Sequence, residues 1–141
     1  PFMISRSHPL YSVSGVFNAI YVHGNMLGDS MYYGRGAGKL PTASAVVADI
    51  VDIAKHLHKN ILISWNSRKM ELVDCKKAKS RFFVRTRNGA DTIMAAFGNV
   101  EWVEAPGVTG EMGFLTEEMT EEEYERRAGG LQNVLQMIRV G

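Results

Sequence analysis

Three glycines spaced two residues apart stand at Gly34, Gly36 and Gly38, between an aromatic run and a periodic apolar segment. A strand, a glycine loop and a helix start in that order expose backbone N–H groups that can approach an anion or a cofactor. The spacing is not that of a Walker A loop, because Leu40 follows Lys39 where Ser or Thr is required. It also departs from the dinucleotide fingerprint, since Lys39 stands where the third glycine belongs. The spacing alone leaves a cofactor-facing loop and a structural turn both open.

Other chemically active side chains are isolated from one another. His56 and His58 lie two residues apart, so a helix places them on different faces and no metal site is expected. Arg35 and Lys39 can attract phosphate, although isolated basic residues are more often solvated. Cys75 is the single cysteine, which excludes an internal disulfide and favours a reducing compartment.

The composition is that of an ordinary globular chain. Of its 141 residues, 45% are hydrophobic and 22% are charged, and the net charge is +1. That balance does not point to nucleic acid or an anionic membrane, and no apolar run approaches the length of a membrane span. We therefore expect a cytoplasmic protein of one domain or two small ones, with no nucleic-acid or membrane partner.

Two elements must hold the glycine loop. Residues 15–22 are apolar at both parities and predict a strand covered on both faces, with turns at residues 23–25 and 28–29. Beyond the loop, an apolar stripe at helical spacing predicts a helix that packs against a large surface, through Val46, Ile50, Ile53 and Leu57. Thr42 is the expected N-cap of this helix, and Pro41 alternatively marks its first turn.

The second half of the chain changes to short alternating elements. Residues 61–79 predict a basic linker with short strands at 61–63 and 70–73. Phe82, Val84 and Thr86 alternate with Arg81, Phe83, Arg85 and Arg87 and predict a half-buried strand. A helix at 91–97, with Ile93, Met94 and Phe97 on its apolar side, and strands at 100–105 and 110–116 follow.

A capping box at residues 120–123 opens the last predicted helix, whose apolar stripe is Tyr124, Ala128 and Leu131. A final strand is expected at residues 134–140. The order β-α-β-β-α-β is that of a ferredoxin-like split βαβ unit.

The longer string around the glycines resembles a known family. Its G-x-G-A-G-x-x-P-T-A-S-A-V core, at residues 34–46, closely resembles the C-terminal part of homoserine dehydrogenase. The motifs His8-Pro9-Leu10 and Val13-Ser14-Gly15-Val16-Phe17-Asn18 fit the same family. By its order of elements, the rest of the chain is similar to the regulatory ACT domain that many members append.

The resemblance implies an α+β protein. Residues 1–60 would be the end of the dehydrogenase substrate domain with its glycine loop and returning helix, 61–79 a linker, and 80–141 a ferredoxin-like βαββαβ (ACT-like) regulatory domain. The family implies NAD(P)-dependent interconversion of L-homoserine and L-aspartate 4-semialdehyde, in threonine, methionine and isoleucine biosynthesis, and a homodimer. Its catalytic lysine, substrate carboxylates and nucleotide-binding half would precede Pro1. No residue of this chain is therefore expected to be catalytic, and the fragment alone is expected to be inactive.

The resemblance also carries over two groups of candidate site residues. Gly36, Ala37 and Gly38 match the loop that approaches the dinucleotide near its nicotinamide end, and Thr42 is a further candidate. The expected effector loop, after the first ACT-like strand, consists of Asn88, Gly89, Ala90 and Asp91.

Many ACT domains carry D-x-P-G in that loop, whereas this chain has no proline there and places Asp91 after the glycine. Control by L-threonine and a purely structural or dimerising role therefore both remain open. Two alternatives for the whole chain are a non-catalytic amino-acid sensor and an anion- or nucleotide-binding module.

Overall fold

The computed structural model describes residues 1–141, and the chain divides into two compact units. The hairpin unit is Arg6–Lys69, and the sheet unit combines Pro1–Ser5 with Met70–Gly141. The first five residues, which were expected to belong with residues 6–60, belong instead to the sheet unit. The reason is that the strand β1 (Phe2–Met3) pairs in parallel with the last strand of that unit. The Gly141 N–H also donates to the Met3 carbonyl at 3.1 Å.

The hairpin unit is built on one antiparallel pair of strands. β2 (Phe17–Gly24) and β3 (Gly28–Arg35) pair along their whole length, from Phe17 opposite Arg35 to Gly24 opposite Gly28. The predicted second turn at residues 28–29 is wrong, because Gly28, with φ 75°, closes the single turn and begins β3. A three-residue hairpin loop followed by a left-handed glycine is a common way to join two strands.

The helix α1 (Lys39–Lys55) follows the hairpin. Its N-cap is Gly38, and the Thr42 N–H donates to the Gly38 carbonyl at 3.1 Å, so Thr42 lies inside the first turn. The prediction of Thr42 as N-cap is therefore wrong, whereas Pro41 does lie in the first turn. The predicted apolar stripe exists, but its four side chains, Val46, Ile50, Ile53 and Leu57, are 52–66% exposed.

Residues 60–74, which run from the end of the hairpin unit into the sheet unit, have no regular structure. The predicted strands at 61–63 and 70–73 are therefore wrong. A strand exists only where a neighbouring strand completes its hydrogen bonds, and these apolar residues have none. A short 3-10 turn at Cys75–Lys77, capped by the Asp74 carboxylate, leads into the sheet unit.

The sheet unit alternates strands and two helices. Its remaining elements are β4 (Lys79–Thr86), α2 (Ala90–Phe97), β5 (Glu101–Val103), β6 (Met112–Leu115), β7 (Met119–Thr120), α3 (Glu121–Ala128) and β8 (Val134–Val140). The strand order is β1-β8-β4-β6-β5, and every pair except β1–β8 is antiparallel. The predicted β-α-β-β-α-β order is present, with the short strands β1 and β7 added to it.

The core of the sheet unit lies between the sheet and its helices. Phe82, Val84 and Thr86 of β4 are fully buried, as the alternation predicted. The Tyr124 ring of α3 stacks on Phe82 with centroids 4.8 Å apart, and burial raises the pKa of Tyr124 to about 12. In α2, Ile93 and Phe97 are buried.

Two details of the helices differ from expectation. Met94 was expected on the apolar side of α2 but is 48% exposed, because burial of Ile93 and Phe97 turns the next position outward. At the start of α3, the Thr120 hydroxyl accepts from the Glu123 N–H at 3.2 Å, as predicted. The reciprocal half of the capping box is absent, since the Glu123 carboxylate binds Arg126 and Arg127 instead, which lowers its pKa.

Candidate cofactor loop and effector loop

The glycine loop, defined as Gly36–Gly38, connects β3 to α1. The Gly36 N–H donates to the Val16 carbonyl at 3.3 Å, which anchors the loop beside the start of β2. All three residues of the loop are exposed. The strand, loop and helix start therefore meet as the sequence predicted.

Local packing already demands glycine at two of the three spaced positions. A Cβ added at Gly36 would lie 1.8 Å from the Asn18 side-chain nitrogen and 2.7 Å from its Cγ. Gly38 has φ 123° and ψ 151°, a backbone region that only glycine adopts readily. At Gly34, by contrast, a Cβ would meet nothing within 4 Å.

The start of α1 presents unpaired backbone donors. Gly38 caps the helix without a side-chain hydrogen bond. The N–H groups of Lys39 and Leu40 in the first turn have no intrahelical partner and carry partial positive charge, whereas Pro41 has no N–H and the Thr42 N–H is paired with the Gly38 carbonyl. With no Cβ at Gly36 or Gly38, a ligand can approach this backbone closely. The residues present therefore fit the approach of an anionic or electron-rich group such as part of a dinucleotide.

A shallow cavity of about 280 Å³ lies beside the loop and is lined by residues 18–20 and 32–36. The Phe17 and Tyr33 rings next to it stack with centroids 5.0 Å apart, and the Arg35 guanidinium lies 5.1 Å from the Phe17 ring centre. Of the four predicted cofactor residues, only Gly36 lines this cavity; Ala37, Gly38 and Thr42 do not.

A polar cluster occupies the opposite end of the hairpin. His23 Nδ1 lies 2.6 Å from Asp29 Oδ1 across the strands, and the Tyr21 hydroxyl donates to the same carboxylate. These two bonds, that of His23 foremost, lower the pKa of Asp29, and the bond to Asp29 raises the pKa of Tyr21. Sequence analysis missed this cluster because it placed Asp29 in a turn; with one turn, His23 and Asp29 fall opposite each other.

The four residues of the predicted effector loop lie together at the start of α2. The Asn88 backbone N–H and side-chain amide both donate to the Thr86 hydroxyl, at 3.1 Å and 2.7 Å. Gly89 is the N-cap of α2, Ala90 is its first residue, and Asp91 lies exposed in its first turn. The Asn88 amide is thus engaged by the protein itself, which leaves the backbone and Asp91 as the open polar groups of this loop.

Two further structural findings concern other classes of site. No group of three or more His, Cys, Asp or Glu side chains is arranged to hold a metal ion. None of the three helices combines the length and apolar character that crossing a bilayer requires.

Comparisons with known proteins fit this geometry. The sequence model of the homoserine dehydrogenase family matches residues 1–51, which include the hairpin, the glycine loop and most of α1. A homoserine dehydrogenase of Lactococcus lactis is 54% identical over 55 residues, covering 39% of this chain and 13% of that protein. One of Synechocystis is 34% identical over 113 residues, covering 80% of this chain and 25% of that protein.

Solved structures extend the likeness over the whole chain. A homoserine dehydrogenase from Thiobacillus denitrificans superposes with a TM-score of 0.71 at 22% identity, covering 100% of this chain and 38% of that one. The Staphylococcus aureus enzyme at pH 6.5 has a TM-score of 0.63 at 28% identity, covering 100% of this chain and 36% of that one.

The mixed α+β fold of this chain is therefore similar to that of part of the solved homoserine dehydrogenases. The family match over residues 1–51, the curated relatives and the solved structures all indicate the homoserine dehydrogenase family. It spans 13% to 25% of the length of the two curated relatives described above.

Proposed function

We propose that this chain is the C-terminal part of an NAD(P)-dependent homoserine dehydrogenase, which interconverts L-homoserine and L-aspartate 4-semialdehyde in threonine, methionine and isoleucine biosynthesis. The observation that carries the proposal is the family match over residues 1–51, since it covers the glycine loop and both elements that hold it. The proposed setting is cytoplasmic and homodimeric, without nucleic acid or membrane.

In this reaction bound NAD(P) would accept or donate the hydride at the carbinol carbon of homoserine, and a base would exchange the hydroxyl proton. This chain contributes Gly36, Ala37 and Gly38, whose backbone lies open at the start of α1 and admits the cofactor closely. Thr42, in the first turn of the helix, is proposed as a second contact. None of these residues is proposed to move a proton, so the chain alone is proposed to be inactive.

The exposed apolar stripe of α1 supports the proposal that this chain acts together with the rest of a dehydrogenase. Its apolar side chains are more than half exposed, and covering them with another surface is favourable by roughly 25 cal/mol per Å² of apolar area. We propose that the rest of the dehydrogenase supplies that surface.

A chimeric enzyme tests the proposal directly. Residues 1–51 of this chain replace the matched segment of the Lactococcus lactis enzyme, and reduction of NAD(P)⁺ is followed with L-homoserine as substrate. We expect activity, and we expect Gly38→Ala to raise the KM for the dinucleotide while the KM for homoserine stays unchanged. Gly34→Ala is the matched control, since its Cβ has free space. A folded chimera without activity contradicts the family role of this segment, and an unchanged dinucleotide KM in Gly38→Ala contradicts the role of the loop.

The sheet unit supports a second candidate function, an ACT-like amino-acid sensor, because it has a complete core of its own. In this proposal L-threonine binds at Asn88, Gly89, Ala90 and Asp91 and regulates the dehydrogenase. Isothermal titration of the chain with L-threonine tests it, with Asp91→Asn as the variant that should weaken binding. Threonine binding that Asp91→Asn leaves unchanged would remove this loop as the effector site.

A further inference from the structure

The Asn18 side chain lies directly against the glycine loop. A Cβ added at Gly36 would stand 1.8 Å from Asn18 Nδ2 and 2.7 Å from its Cγ, so the carboxamide occupies the space that a side chain at residue 36 would need. The Gly36 N–H donates to the Val16 carbonyl at 3.3 Å, which holds the loop beside the start of β2. Asn18 therefore places a polar side chain at the border of the proposed cofactor loop.

The same carboxamide borders the shallow cavity of about 280 Å³ beside the loop, which Asn18 and Gly36 both line. Asn18 lies opposite Gly34 in the register of β2 and β3, and opposite residues of an antiparallel pair project from the same face. Ile20 and Tyr32 form the next pair on that face, and their side chains are 66% and 69% exposed. The cavity thus has a carboxamide at its loop end and open, largely apolar side chains at its other end.

The Asn18 carboxamide is exposed and makes no hydrogen bond within the chain. Gly34, its neighbour across the strands, has no side chain that could bind it. Asn88 differs in this respect, because its side-chain amide donates to the Thr86 hydroxyl at 2.7 Å. A carboxamide has two N–H donors and an accepting oxygen, and those of Asn18 are all available to a ligand that enters the cavity.

A free carboxamide is well matched by a second carboxamide, because each group then donates one N–H and accepts at its oxygen. The nicotinamide ring of NAD(P) carries such a group, and the proposed function brings that dinucleotide to Gly36–Gly38. A carboxylate at residue 18 would lack the donor and an ammonium group would lack the acceptor. The residue type at this position therefore fits the neutral end of the cofactor.

We propose that Asn18 binds NAD(P) through the carboxamide of the nicotinamide ring, with Oδ1 accepting from the cofactor amide and Nδ2 donating to its carbonyl oxygen. Asn18 would thus orient the ring beside Gly36 and would move no proton. The inference rests on the proposed dehydrogenase function and adds to it a residue of β2, outside the glycine loop.

The chimeric enzyme that contains residues 1–51 of this chain provides the experiment, and binding is measured by isothermal titration calorimetry without homoserine. NAD⁺ and NADP⁺ are each titrated beside their 3-acetylpyridine analogues, in which a methyl group replaces the amino group of the carboxamide. We expect the dinucleotide that the chimera prefers to bind about fivefold more tightly than its analogue, because the analogue cannot donate to Asn18 Oδ1.

Variants of Asn18 connect this preference to its side chain. Asn18→Ala should weaken binding of the natural dinucleotide about fivefold and should lower its preference over the analogue to about one. Asn18→Asp retains an acceptor and should keep the preference. Asn25→Ala is the matched control, because Asn25 lies in the turn at the far end of the hairpin and does not line the cavity. Circular dichroism checks that each variant is folded.

The ratio of the two affinities separates a contact from a merely structural role, since a distorted loop would weaken both ligands equally. An unchanged ratio in Asn18→Ala overturns the inference, and so does an equal loss in Asn25→Ala. Loss of the preference in Asn18→Asp overturns the assigned Oδ1 contact. A folded chimera that binds neither dinucleotide overturns the proposed function and this inference with it, whereas binding that does not depend on Asn18 overturns this inference alone.

Discussion

Replacing Gly36 with alanine perturbs the glycine loop in a way the structure defines. The new Cβ would stand 1.8 Å from Asn18 Nδ2 and 2.7 Å from Asn18 Cγ, whereas ordinary contacts begin near 3.4 Å. The Asn18 side chain must therefore leave its present rotamer. Its own Cβ, at 3.3 Å, is close but tolerable, so the backbone of β2 can remain where it is.

The expected cost is about 1 kcal/mol, the usual range for forcing a side chain out of its preferred rotamer. That free energy corresponds to a roughly fivefold larger open population of the β2–β3 pairing, and so to roughly fivefold faster amide exchange. Asn18→Ala removes the clashing atoms, so the double variant should recover most of the loss. Gly38→Ala should cost about 1–3 kcal/mol through backbone strain, and Asn18→Ala should not rescue it.

Amide hydrogen exchange measured by mass spectrometry reports this opening directly on peptides from β2 and β3. Gly34→Ala is the control, since its Cβ meets nothing within 4 Å, and its exchange should match the parent chain. Equal exchange in Gly36→Ala and Gly34→Ala would refute the reasoning. So would rescue of Gly38→Ala by Asn18→Ala, because the two glycines would then share one cause.

Three further predictions concern the sheet unit. Thr86→Val removes a fully buried hydroxyl that donates to a backbone carbonyl at 2.8 Å and accepts twice from Asn88, and should cost about 2 kcal/mol in urea unfolding; an unchanged midpoint contradicts this. Thr120→Ala should cost about 1 kcal/mol, and Thr120→Ser, which keeps the acceptor for the Glu123 N–H, should cost much less. The raised pKa of Tyr124, about 12, favours the neutral phenol in the folded state. The folded state therefore keeps its full stability below pH 10 and loses about 2 kcal/mol as the pH rises to about 12. Tyr124→Phe should abolish this loss in alkaline unfolding curves.

The sheet unit could be predicted well because its strands have one covered face. Alternation then reports burial directly, and Phe82, Val84 and Thr86 were assigned correctly from their parity. The Thr120 cap was predictable for a similar reason, since it depends on residues three apart in the chain.

The errors in strand prediction depend on contacts that are distant in sequence. Phe2–Met3 forms a strand only because the edge of β8 lies beside it, and its Phe2 ring lies 5.7 Å from the Arg139 guanidinium. Residues 61–63 have a better strand composition but no neighbouring edge, and they form none. Strand propensity alone therefore ranked these two segments in the wrong order.

The candidate sites divide along the same line. The glycine loop could be found from the sequence because its strand, turn and helix are contiguous. The cavity of about 760 Å³ beside α2 could not be found in this way, because its lining residues Arg85, Trp102 and Val108 come from separate segments that only the folded sheet brings together. A motif search finds the first kind of site, whereas the second requires the register of β4, β5 and β6.

The two units also differ in what covers their apolar side chains, and this decides where each proposal must be tested. The sheet unit buries a continuous core that includes Phe82, Ile93 and Phe114, so ligand binding can be measured on this chain. No residue of the hairpin unit is buried, and the apolar stripe of α1 is exposed to water. We propose that the glycine loop binds the cofactor only when another surface covers this stripe. The proposed dehydrogenase role must therefore be tested in the chimeric enzyme, where that surface is present. Absence of activity from this chain alone would not count against the proposed role of Gly36–Gly38.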